Sequence, residues 1–271
     1  MSDRLHEDLR ALGIKSGDLL MVHASLRKLG LARSHFGEGG ADLLLDALEA
    51  AVGPSGTLMM VLGSHYEMDW VNERPVETRA DLLAGSRPLV QERAAAMPEV
   101  GWLAETFRRR PGTLFSANPS GRFGARGAHA AALMADQPWN DYYGPGSPLE
   151  KLCAQGGHIL RLGANPDTVT ALHYAEYLAD LPDKRRTRWD YLLSGPDGTR
   201  HAWIDCLDDS GGIATWDGED YFAMILEAYL SLRRHGEGMV GYARSELVDA
   251  ADYVAFGARW MTDNLAPRAR P

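Results

Sequence analysis

Residues 18–62 read DLLMVHASLRKLGLARSHFGEGGADLLLDALEAAVGPSGTLMMVL, and they decide the fold class. The run 18–25 is apolar without a polar alternation, the pattern of a buried strand. Residues 40–52 form a helix that Gly53-Pro54 stops. Residues 57–62 form a second apolar strand. Strand, helix and strand in succession imply a layered α/β domain.

Upstream, Leu5, Leu9 and Leu12 share one helical face and Gly13 ends the helix. Downstream, 63–87 has no clear period and carries Tyr66, Glu67, Asp69 and Trp70; a loop of that length inside a domain is usually functional. Helices are predicted at 101–110, 128–134 and 147–153. Ser147 caps the third, with Pro148 at its first position. Short strands are expected at 114–116 and 123–125, a strand at 158–162 and a helix at 167–181. A hairpin, 186–193 with 200–206, surrounds the turn Pro196-Asp197-Gly198. A helix at 220–233, a strand at 239–243 and a helix at 247–265 precede a frayed tail, 266–271. The hairpin argues against a purely parallel sheet. With no repeat or linker, 1–271 reads as one domain.

The 271 residues are 45% hydrophobic and 24% charged, which suits a globular enzyme whose core needs no cross-links. Cys153 and Cys206 stand in no CxxC or Cys/His cluster, so neither a disulfide framework nor a structural zinc is expected. The N-terminus lacks an apolar signal core and no apolar run reaches spanning length, which predicts a cytoplasmic protein without a membrane partner. The net charge of −9 disfavours a nucleic-acid partner and favours a cationic small molecule. No GxGxxG follows a strand and no Walker loop is present, which counts against dinucleotide redox chemistry and nucleotide hydrolysis.

Two clusters carry chemistry. In NPDTVTALHYAE, 165–176, Asp167 or Thr168 suits a helix N-cap, placing His173 within about two turns of the helix start. Glu176 lies three residues on, on the same face. A carboxylate beside an imidazole orients it and favours its protonated form, as a general base for an amine nucleophile requires. An arbitrary His–Glu pair at this spacing is usually a surface pair, and a metal reading of His-x-x-Glu needs a second matching motif that the sequence lacks. The second cluster is the strand end His23-Ala24-Ser25-Leu26-Arg27, where ligands of open α/β folds collect. Gly37, Gly39 and Gly40 follow at a helix start, whose free N–H groups, with Ser25 and Arg27, suit a coenzyme A pyrophosphate.

In order and spacing, LGIKSGDLLMVHASLRKLG, GGADLLLDALEAAVGPSGTLMM, GWLAETFRRRPG, GSPLEKL, LRLGANPDTVTALHYAEYLAD and GMVGYARSELVDAADYVAFGARWM resemble the aminoglycoside 3-N-acetyltransferase family over nearly the whole chain. The resemblance implies one three-layer α/β/α domain with a mixed sheet, not the common small N-acetyltransferase fold. It implies acetyl-CoA as co-substrate, no metal, the 3-amino group of a 2-deoxystreptamine ring as acceptor, and antibiotic resistance as the outcome. His173 becomes the base, with an orienting carboxylate for which Glu219 ranks slightly ahead of Glu176. The implied coenzyme contacts are His23, Ser25, Leu26, Arg27, Gly39, Gly40, Ser116 and Thr168. The implied acceptor contacts are Tyr66, Asp69, Glu99, Glu105, Asn118, Asp141 and Tyr142. Transfer is expected to be direct, since neither cysteine sits in an activating motif. Amides near Ser25, or a polar side chain, are expected to hold the oxyanion. The chain is expected to be a monomer or homodimer.

One stretch departs from the family pattern. Members usually carry Ser-x-His-Pro with a Ser three residues later. Here Asn118 replaces the His and Arg122 the later Ser. Arg122 is therefore expected to bring a cation towards a site that receives another. That difference motivates the alternative of another amine acceptor. A polycation-binding protein without activity is the reading from a different class.

Overall fold

The computed structural model describes residues 2–32, 39–216, 218–232 and 235–266. Gly37, Arg233 and the tail from 267 onward lie outside the described residues. The chain runs α1 (Ser2–Leu12), β1 (Leu19–Ala24), α2 (Gly39–Val52), β2 (Thr57–Val61), α3 (Asp69–Asn72), α4 (Val76–Ala84), α5 (Gly101–Arg109), β3 (Leu114–Phe115), β4 (Phe123–Gly127), α6 (Ala130–Met134), α7 (Pro148–Ala154) and β5 (His158–Leu162). It continues through α8 (Leu172–Leu178), β6 (Arg186–Gly195), β7 (Gly198–Leu207), α9 (Tyr221–Leu232), β8 (Gly236–Val240), β9 (Ala243–Asp249) and α10 (Ala250–Leu265). Among the described residues, no helix is long and apolar enough to cross a membrane.

Seven strands form one mixed sheet in the order β3-β4-β2-β1-β5-β9-β8. β1 is parallel to β2 and β5, and the flanking pairs are antiparallel. The apolar run of β1 serves both faces. Leu19 and Met21 enter one core, and Leu20 and Val22 enter the other. The second core is closed by α1, α2 and α5; the first by α6 to α10 and the separate β6–β7 hairpin. Each such leucine, fully buried, contributes roughly 1.5–3 kcal/mol. The result is the expected three-layer α/β/α fold.

Three elements differ from the sequence expectation. The stretch 63–87 holds a 3-10 turn, Tyr66–Met68, then α3 and α4. The 3-10 turn and α3 are too short to print a hydrophobic period, and α4 hides its inner face by burying Arg79 while exposing Val76. The helix expected at 167–181 is shorter: Pro166–Thr168 is a 3-10 turn, and Val169, at ψ 88°, leaves helical geometry. α8 begins at Leu172, so neither Asp167 nor Thr168 caps it. Thr168 Oγ1 instead donates to the Asn165 carbonyl at 2.7 Å. At the other end Ala179 is extended, and Pro182 biases Leu181 away from the helix. The third difference is β9, whose residues 247–249 are those expected to open the last helix, while β8 stands earlier than the strand expected at 239–243. Arg244, Glu246 and Asp249 hide its apolar face, but Glu246 is buried beside its register partner Arg161, with an ion pair of 2.6 Å.

Two glycines fix the position of α8 and the turn before it. Gly163 ends β5 at φ +62°, where an added Cβ would lie 2.6 Å from that of Ala243. Gly257 in α10 lets α8 approach closely; a Cβ there would lie 2.6 Å from Leu172 Cδ2.

α10 starts at Ala250 because Asp249 caps it, its Oδ1 accepting from the Asp252 amide at 2.8 Å. Asp249→Ala is expected to cost about 0.5–2 kcal/mol in urea denaturation. A cost near zero would show that the cap does not set this helix start.

Candidate active site

A cleft of about 960 Å³ opens where the ends of β1 and β5 meet α3, β6 and the segments before α8 and α9. His173 borders it from the second position of α8. Its Nδ1 lies 2.8 Å from Glu176 Oε2. A carboxylate only accepts, so Nδ1 carries the proton and Nε2 keeps its lone pair for the cleft. Glu176 is 1% exposed, and Tyr221 donates its hydroxyl to the other carboxylate oxygen. The imidazole is held between rings: Tyr143 stacks on it at 4.9 Å and 8°, and Phe222 meets it edge-on at 4.9 Å. Burial pulls the His173 pKa down, but the charge and hydrogen bond of Glu176, with Asp209 and Asp220 beyond, outweigh it and leave it above the ordinary value.

The two ends of the cleft carry opposite charge. At the β1 end His23, Ser25, Leu26, Arg27 and Lys28 border it, joined by Asn165, Asp167 and Thr168. Lys28 Nζ donates to Asn165 Oδ1 at 2.8 Å. His23 is buried, its Nε2 has no partner among the described residues, and burial with the Arg161 charge lowers its pKa to about 4. It is thus a neutral group with a free ring nitrogen. The Ser25 amide is already used, donating to the Leu162 carbonyl at 2.9 Å, so it is not a free oxyanion donor.

At the other end Asp69, Glu73, Glu99 and Asp209 border the cleft, with Tyr142, Trp189 and Tyr191. Burial, then Glu99, Glu73 and Glu67, raise the Asp69 pKa to about 6. Tyr142 donates to Asp209 Oδ2 at 2.5 Å. Burial also raises Asp209 above the usual carboxylate range, against the opposing pull of His173 and Tyr142.

Several residues marked from sequence stand elsewhere. Glu219 is exposed, its backbone carbonyl accepting from Trp216 Nε1 at 2.6 Å; the carboxylate on His173 is Glu176. Gly39 and Gly40 open α2 and do not border the cleft among the described residues. Ser116 is buried, its Oγ accepting from the Phe123 amide. Glu105 is consumed by Arg108, Arg109 and the Ala96 amide. Asn118 spends its side chain on the Pro138 and Trp139 carbonyls and the Ser120 and Gly121 amides. Asp141 pairs with Arg186 at 2.8 Å on the surface. Tyr66 sits in the turn before α3, off the cleft lining. Arg122 brings no cation to the site: it is buried and donates to the Ala94 and Ala95 carbonyls.

Asp209, Tyr143 and Tyr221 were not found from sequence. The one available signal was Asp208-Asp209-Ser210-Gly211-Gly212 after a strand. Only the fold separates the two acids: Asp208 closes its own turn through Ser210 and Gly211, and Asp209 faces inward.

The family described as aminoglycoside 3-N-acetyltransferase matches residues 21–262. Aminoglycoside N(3)-acetyltransferase III of Serratia marcescens is 40% identical over 266 residues, covering 95% of this chain and 96% of that protein. Among solved structures, AAC-IIIb in its binary form with CoASH is 37% identical, with a TM-score of 0.87 over 100% of this chain and 99% of that one. Sisomicin-bound AAC-VIa is 35% identical, with a TM-score of 0.84 over 98% of each chain. The three-layer fold is thus that of aminoglycoside acetyltransferases and not the common small N-acetyltransferase fold. The chain belongs to the aminoglycoside 3-N-acetyltransferase family and is an enzyme of that family.

Glu176 gives the strongest upward pull on the His173 pKa, so its removal lowers that pKa. In a proton NMR titration, His173 of the native protein is expected to titrate above the ordinary histidine value of 6.5. In Glu176→Gln burial dominates, and the midpoint should fall below that of the native protein. An unchanged midpoint would contradict the pairing.

Proposed function

We propose that this chain transfers the acetyl group of acetyl-CoA directly to the 3-amino group of an aminoglycoside's 2-deoxystreptamine ring. His173 is the general base and Glu176 its orienting carboxylate. The observation that carries this reading is the ring-clamped His173–Glu176 pair facing a cleft with a basic end and an acidic end.

The basic end suits the donor. Arg27 and Lys28 are exposed cations for the phosphates, and Ser25, Thr168 and the unpaired His23 Nε2 offer hydrogen bonds along the pantetheine arm. The acidic end suits a polycation: Asp69, Glu73, Glu99 and Asp209 would each gain by receiving an ammonium group. The 3-amine enters neutral. As its nitrogen bonds to the thioester carbonyl carbon, Nε2 of His173 takes the proton; the C–S bond then breaks and the imidazolium protonates the departing thiolate. Glu176 stabilises that imidazolium in a site where an unpaired charge would be costly. Direct transfer is supported by the thiols: burial raises Cys153 to about 12 and pushes Cys206 up as well, so neither is an activated nucleophile. Acetylation removes one positive charge from the drug, which supports a role in resistance, carried out in the cytoplasm where acetyl-CoA is made. The whole chain is taken to act as one domain.

Incubation with acetyl-CoA and kanamycin or gentamicin should add one acetyl group, mapped to the 3-nitrogen. His173→Ala should lower kcat by about 10²–10⁴-fold while the fold persists. A variant with near-normal turnover would remove the base assignment. Aminoglycoside affinity is also expected to depend on Asp69. A bound ammonium favours its ionised form, so binding near pH 6 should release a proton and affinity should rise as pH rises through about 6. Calorimetry in buffers of different ionisation enthalpy measures this release, and its absence in the native protein would remove Asp69 from the acceptor site.

A further inference from the structure

Much of the acceptor wall of the cleft comes from two segments outside the seven-stranded sheet: Asp69, Asn72 and Glu73 at α3, and Trp189 with Tyr191 on β6. The Asn72 amide joins them as a strand would. Its Oδ1 accepts from the Asp190 amide at 2.7 Å, and its Nδ2 donates to the Asp190 carbonyl at 3.1 Å. One side chain thus satisfies both backbone groups of a β6 residue on the edge that β7 does not cover.

Asn72 is held in turn by charge. Arg79 Nη2 donates to the Asn72 carbonyl at 2.8 Å, Nη1 to the Arg188 carbonyl at 2.7 Å and to Asp190 Oδ2 at 3.2 Å, and Nε to the Arg74 carbonyl at 2.8 Å. The Asp190 side chain is fully buried and also accepts from Arg188 Nη2 at 2.8 Å and His201 Nε2 at 2.9 Å. Arg79 and Asp190 do not border the cleft, yet their neighbours Asn72, Trp189 and Tyr191 do.

We propose that Arg79 and Asp190 are positioning residues for the acceptor: their buried ion pair clamps α3 to β6 and so sets the spacing between the acidic groups and the aromatic wall that receive the aminoglycoside. This rests on the acceptor assignment above. The donor end, built on β1 and the segment after β5, shares no residue with the clamp. Its disruption therefore acts on one substrate. Lysine cannot replace Arg79, because a single ammonium does not span the five oxygens that the planar fork reaches. Asparagine at 190 removes the charge that compensates a buried guanidinium.

The test measures steady-state constants for Arg79→Lys and Asp190→Asn with kanamycin and acetyl-CoA, alongside the native enzyme. Both variants should raise the aminoglycoside KM at least tenfold and leave the acetyl-CoA KM and kcat within about threefold. Equal losses for both substrates, or an aminoglycoside KM within twofold of native, would overturn the proposal. If the variants do not fold, hydrogen exchange on the native protein decides. Peptides covering 68–74 and 188–192 should gain protection together when kanamycin is added and not when coenzyme A is added. Indifference to kanamycin would overturn the clamp. A native enzyme that acetylates no aminoglycoside would instead overturn the proposed function.

Discussion

A carboxylate with 1% exposure must be compensated within the protein, and Glu176 is compensated by His173 and Tyr221. Much of the site follows from that constraint. The pair needs the first turn of α8, which needs the turn after β5 at Gly163 and the close approach of α10 at Gly257. Tyr221 arrives on α9 together with Phe222, and the latter closes one side of the imidazole. The imidazole is thereby held with one nitrogen committed to a carboxylate and the other without a partner among the described residues.

The sheet explains why the two sides of the cleft differ in construction. The ends of the parallel strands β1 and β5 build the basic side of the cleft, while much of the acidic side is added by a short helix and a hairpin that lie outside the sheet. The basic half is therefore fixed by the core, and the acidic half by polar contacts between separate segments.

How much of this was legible depends on range. Strands β1 and β2 are nearly continuous apolar runs, and β5 carries Ile159, Leu160 and Leu162, so these could be read directly. β9 could not, because Glu246 is buried by a partner, Arg161, that no local pattern reveals. Within the site, His173 and Glu176 are three residues apart and share a helix face, so their contact was readable. Ranking Glu219 ahead of Glu176 erred because a distant carboxylate can be weighed only once distances are known. Asp209 was invisible for the same reason. Arg122 shows the converse: a cation near the site in sequence is turned away by two backbone carbonyls.

The most direct measurement is a crystal structure of the ternary complex with coenzyme A and an aminoglycoside. The 3-nitrogen is expected within hydrogen-bond reach of His173 Nε2, about 2.6–3.2 Å, on the path to the coenzyme sulfur, with Nδ1 still on Glu176. A 3-amine held away from His173, with another group of the protein in position to take its proton, would contradict it.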